Sequence, residues 1–286
     1  MQHKNSMNIL DLVNNYSEDI WNGTQKHHNE CVSRLQNFAF KVGNLAVSDI
    51  EAPHVYEYIR KLKAEGFSDA TCNRHIAAIS KALRFARDSG FEANYFKITT
   101  KKEESRLRFF TEEELAKIEA FCKRSYVPQW FADMCMIARY TGMRHSEVLK
   151  IANSDEAYVY EEDDNTHVLL HKTKNGDARE IAVYKKEAAA AVNRFAFHGG
   201  LTSYYADKFY ILWNEMRRGI APRDKQFVFH VFRHTVASKM ANELNLNSDV
   251  IGKWLGHKRA DTTKKYVHVK KETIQKTAEL LSRKGD

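Results

Sequence analysis

Four side chains that carry a positive charge or can transfer a proton stand at the ends of segments in the second half of the chain. Arg144 comes shortly after a glycine that closes a predicted helix, where a side chain is presented at an edge rather than in a buried stripe. Lys174 lies at the tip of a predicted hairpin and can reach outward. His230 and Arg233 are three residues apart, so a helix would place them on one face. Side chains of these types can attract an anion and take part in proton transfer.

Two more such side chains follow near the end of the sequence. His257 ends a Trp-Leu-Gly-His turn, and Tyr266 comes nine residues later. His230 and His234 have the i, i+4 spacing of two metal ligands on a helix, but an arginine and no carboxylate lies between them, unlike the His-Glu-x-x-His zinc motif. We therefore predict no metal here. No carboxylate cluster is placed to hold Mg²⁺ beside the cations, which disfavours a metal-dependent nuclease.

Short strands are predicted to position part of this set. Segments 157–160, 166–171 and 179–184 are rich in residues that favour strands. The pairs Asp164-Asn165 and Asn175-Gly176 between them are turn signals. The simplest arrangement is a three-stranded antiparallel meander.

Helical periodicity dominates the rest of the chain. Helices are expected over about 111–124, opened by a Thr-x-x-Glu capping box, and over 128–141. The first 90 or so residues predict a helical bundle. In that bundle Ser48–Glu51 is a Ser-x-x-Glu capping box that would open one helix, and Ser68 would cap a longer helix that closes at Gly90.

A polar, charge-dense stretch between these halves lacks an apolar period and is typical of an interdomain linker. We predict a mainly α fold with a small antiparallel β-meander, of the α+β class. Its parts are a helical domain over 1–95, a basic linker over 96–110, a mixed domain over 111–269 and a tail helix over 270–286.

Composition limits the classes of function. A chain of 286 residues with 43% hydrophobic residues is long enough for two globular domains. It has no apolar stretch of membrane-spanning length and no apolar signal core at its start, so we expect a cytoplasmic protein. Four cysteines without a Cys-x-x-Cys pair predict reduced thiols. A net charge of +8 would attract polyanions.

Taken in order, these segments resemble the tyrosine recombinase, or phage integrase, family of site-specific DNA recombinases. The segment Thr141–Glu147 is similar to the family's T-G-hydrophobic-R-x-S-E box, and Lys174-Asn-Gly is similar to its lysine hairpin. The segment His230–Thr235 is similar to the H-x-x-R-H-T box. Leu255–His257, followed by Tyr266, is similar to the L-G-H motif and the nucleophile after it. The helical first domain matches by size and position only.

The resemblance implies a role for each reacting group. Tyr266 would attack a backbone phosphate and form a 3′-phosphotyrosyl link to DNA. Arg144 and Arg233 would clamp the two nonbridging oxygens, since a guanidinium presents paired donors and a permanent charge. Lys174 would protonate the departing 5′-oxygen. Lys172, two residues earlier on the same strand face, is the alternative.

Three further side chains would support the reaction. The resemblance implies that His230 acts in acid–base chemistry near the tyrosine and that His257 donates a hydrogen bond to the phosphate. Glu147, one turn after Arg144, would orient either Arg144 or His230. Its alternative is an ordinary surface carboxylate.

The same resemblance implies a C-shaped clamp of two domains round duplex DNA, with a SAM-like core-binding domain first. Basic residues of the predicted helices, hairpin and linker are candidate phosphate contacts, which position a protein without reading sequence. Some of them would otherwise be only solvated charges. The candidates are Arg74, Lys81, Arg84, Lys101, Lys102, Arg106, Arg108 and Lys172.

The expected partner is double-stranded DNA with a specific recombination site, bound by a homotetramer on two sites. The resemblance implies that the tail helix over 270–286 makes the contact between subunits. Host DNA-bending proteins are expected as further partners. No metal, ATP or other cofactor is expected. We expect no additional arm-binding domain, because the first predicted helices already belong to the core-binding domain. Integration or excision of a mobile element or viral genome and resolution of replicon dimers both stay open. Type IB topoisomerase-like relaxation and an inactive DNA-binding protein are the alternative functions.

Overall fold

The computed structural model describes residues 7–101, 108–171, 178–197, 202–257 and 263. Its contacts divide the chain into two compact units, Met1–Ser105 and Arg106–Asp286. The division falls inside the predicted linker, although Phe96 and Ile98 pack against the core of the first unit. The backbone carbonyl of Lys101 also accepts a hydrogen bond from Asn73 of that unit (2.8 Å).

The described part of the first unit is a helical bundle. Its helices are α1 (Ile9–Ile20), α2 (Gln25–Val42), α3 (Ala52–Ala64) and α4 (Asp69–Asp88). The apolar stripe of α4 packs against each of the other three helices and carries the buried Ile79 and Leu83. Ser68 caps α4 as predicted, because its hydroxyl accepts from the Thr71 amide (3.2 Å).

The predicted start of α3 is wrong. Ser48 lies in a 3₁₀ turn, and its hydroxyl bonds the Asp49 carboxylate (3.0 Å) instead of capping a helix. The helix begins at Ala52, where the Glu51 amide donates to His54 Nδ1 (3.1 Å). Pro53 explains the difference: it has no N–H to donate, so it is tolerated in the first turn of a helix and not one turn further in.

The second unit combines helices with one small sheet. Its helices are α5 (Glu112–Cys122), α6 (Gln129–Thr141), α7 (His145–Lys150), α8 (Lys186–Phe197), α9 (Thr202–Ile220), α10 (Val231–Asn242) and α11 (Ser248–Leu255). Helix α6 is central and is buried along most of its length. The predicted capping box of α5 is confirmed: Thr111 and Glu114 exchange bonds of 3.2 and 3.0 Å.

The sheet is the predicted antiparallel meander. Its strands β1 (Ala157–Glu162), β2 (Asn165–Leu170) and β3 (Arg179–Val183) lie in the order β1-β2-β3. The first turn sits one residue earlier than predicted, because Glu162 pairs with Asn165 and the left-handed residues are Asp163 and Asp164 (φ 49° and 58°). The fold class is confirmed. In the described ranges no helix is long and apolar enough to cross a membrane.

One face of the sheet packs on α6 and α8. Alternation along β3 places Val183, Ile181 and Arg179 on this buried face, whereas Glu180 is exposed. The strand that follows the predicted hairpin therefore begins with a buried arginine.

Candidate active site

Three arginine side chains from separate segments meet at the C-terminal end of α11. The guanidinium groups of Arg179, Arg233 and Arg144 donate, in turn, to the successive backbone carbonyls of Trp254, Leu255 and Gly256. The last of these contacts is the longest, at 3.5 Å. The final carbonyls of a helix lack intrahelical donors and carry the negative end of its dipole, so cations stabilise them.

Glu147 lies at the centre of this arginine cluster. Its Oε2 accepts from the Arg144 amide (2.8 Å) and from Arg179 Nη1 (3.0 Å), and its Oε1 accepts from Arg144 Nη1. Arg233 Nη1 lies 3.9 Å from Oε2. Glu147 is only 1% exposed, so the surface-carboxylate alternative is wrong. The carboxylate orients Arg144 directly.

The charges around Glu147 keep it ionised. Burial pushes the pKa of this carboxyl upward, but the positive charges of Arg179, Arg144 and Arg233 and the bond from the Arg144 amide outweigh it, so the pKa lies below its ordinary value. Three guanidinium charges and one carboxylate charge leave the arginine cluster with a net charge of +2.

The Thr-Gly-Met-Arg segment between α6 and α7 places Arg144 by packing against α11. Gly142 ends α6 in a left-handed conformation (φ 67°), and a Cβ there would lie 3.0 Å from Leu255 Cδ2. The Trp254 indole N–H donates to the Thr141 carbonyl (3.0 Å). Arg144 then stands immediately before the first residue of α7. A glycine is needed because the turn is left-handed and closely packed.

Arg233 and His230 differ in exposure. Arg233, in the first turn of α10, is 1% exposed and also donates to the Gly142 carbonyl (3.0 Å). His230 precedes the helix and is exposed, with its ring 4.8 Å from that of His234 and perpendicular to it. His230 and Arg233 were predicted to share one face of a helix, but His230 lies before the helix and is exposed, whereas Arg233 is buried.

His257 follows directly on the residue whose carbonyl Arg144 contacts. Its amide donates to the Gly252 carbonyl (2.8 Å), and its Nδ1 shares a hydrogen bond with the buried hydroxyl of Thr263 (2.9 Å). The end of α11 thus carries both a predicted phosphate ligand and the acceptors for the arginine cluster.

One residue of the arginine cluster, and the partly buried histidine that follows Arg144 in sequence, were missed by the sequence analysis. Arg179 contacts Glu147 across 32 residues of sequence, and its only local signal is a charged side chain on the buried face of a strand. His145 packs its ring against those of Phe209 and Phe229, 4.4 and 5.3 Å away. Burial lowers the pKa of His145 to about 4, so it adds no positive charge at neutral pH.

Several predicted site residues lie outside the described residues. They are Lys102, Arg106, Lys172, Lys174 and Tyr266, together with the second predicted turn and the tail helix.

The predicted DNA contacts of the first unit that lie within the described residues are exposed. Arg74, Lys81 and Arg84 occupy one side of α4 at spacings of seven and three residues. Lys101 is also exposed, and its Nζ lies 3.7 Å from the Asp69 carboxylate. These side chains are already at the surface, so they can contact a polyanion without any change in the packing of the core.

Arg108 has a different environment. It bonds the carboxylates of Asp224 (3.0 Å) and Glu114 (2.7 Å) and lies over the rings of Phe110 and Phe227. A phosphate would have to displace two carboxylates from a largely buried guanidinium. We therefore leave Arg108 out of the proposed DNA contacts.

One group in the described part of the chain could offer three metal ligands. Glu162, His167 and Glu180, on the outer face of the sheet, have ligand atoms within 4.8 Å of one another. Glu180 already bonds His167 and the Tyr160 hydroxyl, at 2.8 Å each. Internal hydrogen bonds account for this arrangement, and we assign no metal to it.

Comparison with known proteins shows where the chain belongs. Residues 108–273 match the model described as the phage integrase family, and residues 13–90 match that of the phage integrase N-terminal SAM-like domain. The chain is 22% identical over 291 residues to the tyrosine recombinase XerC of Bacillus licheniformis, covering 94% of this chain and 91% of that protein.

Two transposon proteins are similar as well. Transposase B of transposon Tn554 from Staphylococcus aureus is 24% identical over 266 residues, 82% of this chain, and the match spans 40% of that transposase's length. The structure of the Tn1549 transposon integrase in complex with a circular intermediate DNA superposes with a TM-score of 0.73 at 16% identity, covering 96% of this chain and 99% of that one. With more than half of its residues matched by the phage integrase family model, the chain belongs to the phage integrase family.

Proposed function

We propose that this chain is a site-specific DNA recombinase that cleaves and rejoins duplex DNA through a 3′-phosphotyrosyl intermediate. The observation that carries the proposal is the arginine cluster. Arg144 and Arg233 share one buried carboxylate and anchor on successive carbonyls of one helix end, with net positive charge left for an anion. A phosphodiester gains negative charge as it approaches the transition state, and fixed guanidinium groups stabilise that charge.

The proposed reaction assigns one task to each group. The Tyr266 phenolic oxygen attacks phosphorus, and the bond from phosphorus to the 5′-oxygen breaks. His230 takes the phenol's proton, because a phenol with a pKa of about 10 is a weak nucleophile at neutral pH. Lys174, or Lys172 in its place, protonates the leaving 5′-oxygen, and His257 donates a hydrogen bond to the phosphate. The phosphotyrosine conserves the bond energy, so religation uses neither ATP nor a metal.

The proposed substrate is double-stranded DNA with a specific site, bound by a homotetramer on two such sites. Arg74, Lys81, Arg84 and Lys101 are proposed phosphate contacts because they are exposed and basic. Lys102, Arg106 and Lys172 keep the same proposed role from the sequence. Integration or excision of a mobile element and dimer resolution use the same chemistry.

The test is capture of the covalent intermediate. Duplexes selected by binding to the protein are nicked at successive positions across the bound sequence, so that the short cleaved strand diffuses away. They are incubated with the protein in EDTA and denatured in SDS. We expect a protein–DNA adduct with the wild-type chain and none with Tyr266→Phe, which should bind the same duplex unchanged.

Other outcomes separate the alternatives. Binding without an adduct at any nick position would contradict the proposal and favour an inactive DNA-binding protein. Relaxation of a supercoiled plasmid that lacks the selected site, with no strand exchange between two sites, would favour topoisomerase-like activity. An adduct that persists in Tyr266→Phe would assign the nucleophile to another residue.

A further inference from the structure

The buried face of β3 contributes a charge that the proposed reaction does not use. Arg179 opens this strand, and its side chain is 6% exposed. Its Nη1 bonds Glu147 Oε2 at 3.0 Å, and its Nη2 donates to the Trp254 carbonyl. Among the described residues no acceptor reaches its buried Nε. Within the described ranges, this donor has no acceptor, while the two terminal nitrogens of the guanidinium serve one partner each.

Holding a guanidinium in this position has a cost. Desolvation lowers the pKa of Arg179, and the Glu147 carboxylate acts in the opposite direction. The surroundings are also shaped for this side chain, because a Cβ on Gly256 would lie 2.9 Å from Arg179 Cδ. Burying a cation costs free energy unless the charge is paired, and Glu147 is the carboxylate that pairs with Arg179.

The charge balance of the arginine cluster shows what the positive charge of Arg179 contributes. Glu147 orients Arg144 through two hydrogen bonds and lies 3.9 Å from Arg233. A carboxylate in that position would, alone, cancel half of the charge that the two arginines offer to an anion. Arg179 supplies the compensating positive charge from the side of the sheet, and its bond to Trp254 fixes the helix end that carries the other acceptors.

We propose that Arg179 is a positioning residue: it neutralises Glu147, so that Glu147 can orient Arg144 without weakening the positive charge that Arg144 and Arg233 present to a DNA phosphate. The inference rests on the proposed function of the same site. Arg179 touches no reacting atom and acts through Glu147 and the end of α11.

The test compares single-turnover adduct formation by four chains at saturating DNA: wild type, Arg179→Gln, Glu147→Gln and the double variant. Arg179→Gln leaves two arginines against one carboxylate, and we expect cleavage to slow by about 100-fold. The double variant removes the carboxylate charge as well and returns the net charge to that of the wild type. We expect it to cleave about tenfold faster than Arg179→Gln.

A purely structural role also predicts recovery in the double variant, because removing the Glu147 carboxylate relieves the buried charge that Arg179→Gln leaves uncompensated. It differs in that the loss of cleavage would then follow the loss of folded, DNA-bound protein, whereas the charge role slows cleavage in chains that are fully folded and bound. The inference is overturned if the double variant is no faster than Arg179→Gln, or if Arg179→Gln cleaves at the wild-type rate. Absence of an adduct with the wild-type chain would instead contradict the proposed function itself. Thermal unfolding and DNA binding of each chain show whether the variants are folded.

Arg179→Lys provides a second measurement should the neutral variants fail to fold. Lysine keeps the charge but lacks the fork that bonds carboxylate and carbonyl together. We expect its cleavage rate to stay within about tenfold of the wild type. A loss of about 100-fold or more in Arg179→Lys would overturn the inference, since charge alone would then not suffice.

Discussion

Gly256 shows how one residue meets two demands at the candidate site. It ends α11 in the left-handed conformation (φ 66°), and its carbonyl accepts from Arg144. A Cβ would approach Arg179 Cδ to 2.9 Å, closer than two such carbons normally come. Both the backbone conformation and the space beside Arg179 therefore require glycine.

These two demands can be measured separately with a matched glycine. Gly66 is also left-handed (φ 86°), but no described atom lies within 4 Å of the position of its Cβ. We expect Gly66→Ala to lower the free energy of unfolding by about 1 kcal/mol through the backbone alone. Gly256→Ala should cost roughly 1–3 kcal/mol more, because the contact with Arg179 adds overpacking.

Chemical denaturation of both variants checks this expectation, and adduct formation gives a second reading. Gly256→Ala should also slow cleavage, since Arg179 and the carbonyl acceptor of Arg144 must shift, whereas Gly66→Ala should not. Equal losses of stability in the two variants would show that Arg179 moves aside without cost.

The individual residues of the site were unevenly predictable from the sequence. Arg144, Glu147 and Arg233 belong to short motifs, and the structure brings them together. Arg179 reaches the same carboxylate only because the sheet packs its buried face toward α6. Local rules describe caps and turns, but an ion pair between a strand and a distant helix is set by tertiary packing. A charged residue at an inward strand position is the signal that could have found it.

The secondary-structure elements were likewise predictable where a single local signal acts. Strands were predictable because their segments are rich in residues that favour strands and are separated by turn signals. The caps of α4 and α5 were predictable from Ser68 and Thr111. The start of α3 was not, because two signals compete within six residues. Ser48 and Glu51 satisfy the capping-box pattern, but Pro53 excludes a helix that has Ser48 as its N-cap.

The corrected start of α3 has a direct test. The His54 imidazole accepts from the Glu51 amide at the first turn of the helix, so His54→Ala should lower the free energy of unfolding by about 0.5–1 kcal/mol. Ser48→Ala should change it by less than about 0.5 kcal/mol, because that hydroxyl only bonds the neighbouring Asp49. Urea unfolding compares the two. A larger loss for Ser48→Ala would support the capping box predicted from the sequence.

The molecule as a whole carries a net charge of +8, which would favour binding to any polyanion. Its basic residues are not equivalent, however. Arg108 is engaged by Asp224 and Glu114, whereas the exposed side of α4 presents Arg74 and Arg84 to solvent. A localised contact and a general charge effect predict different results when single charges are removed.

Arg84→Gln removes one positive charge from the basic side of α4. Lys117→Gln is the control, because it removes one positive charge from the solvent-exposed Glu113–Lys117 pair of α5. If Arg84 contacts a phosphate, DNA binding by the Arg84→Gln variant releases one fewer counterion than binding by the wild type. The slope of log affinity against log salt should then become shallower by about 0.9, and binding should weaken alike on all duplex sequences. Lys117→Gln should leave the slope unchanged. Titrations of a labelled duplex at several salt concentrations measure both, and equal effects would show that net charge, rather than the exposed side of α4, governs the binding.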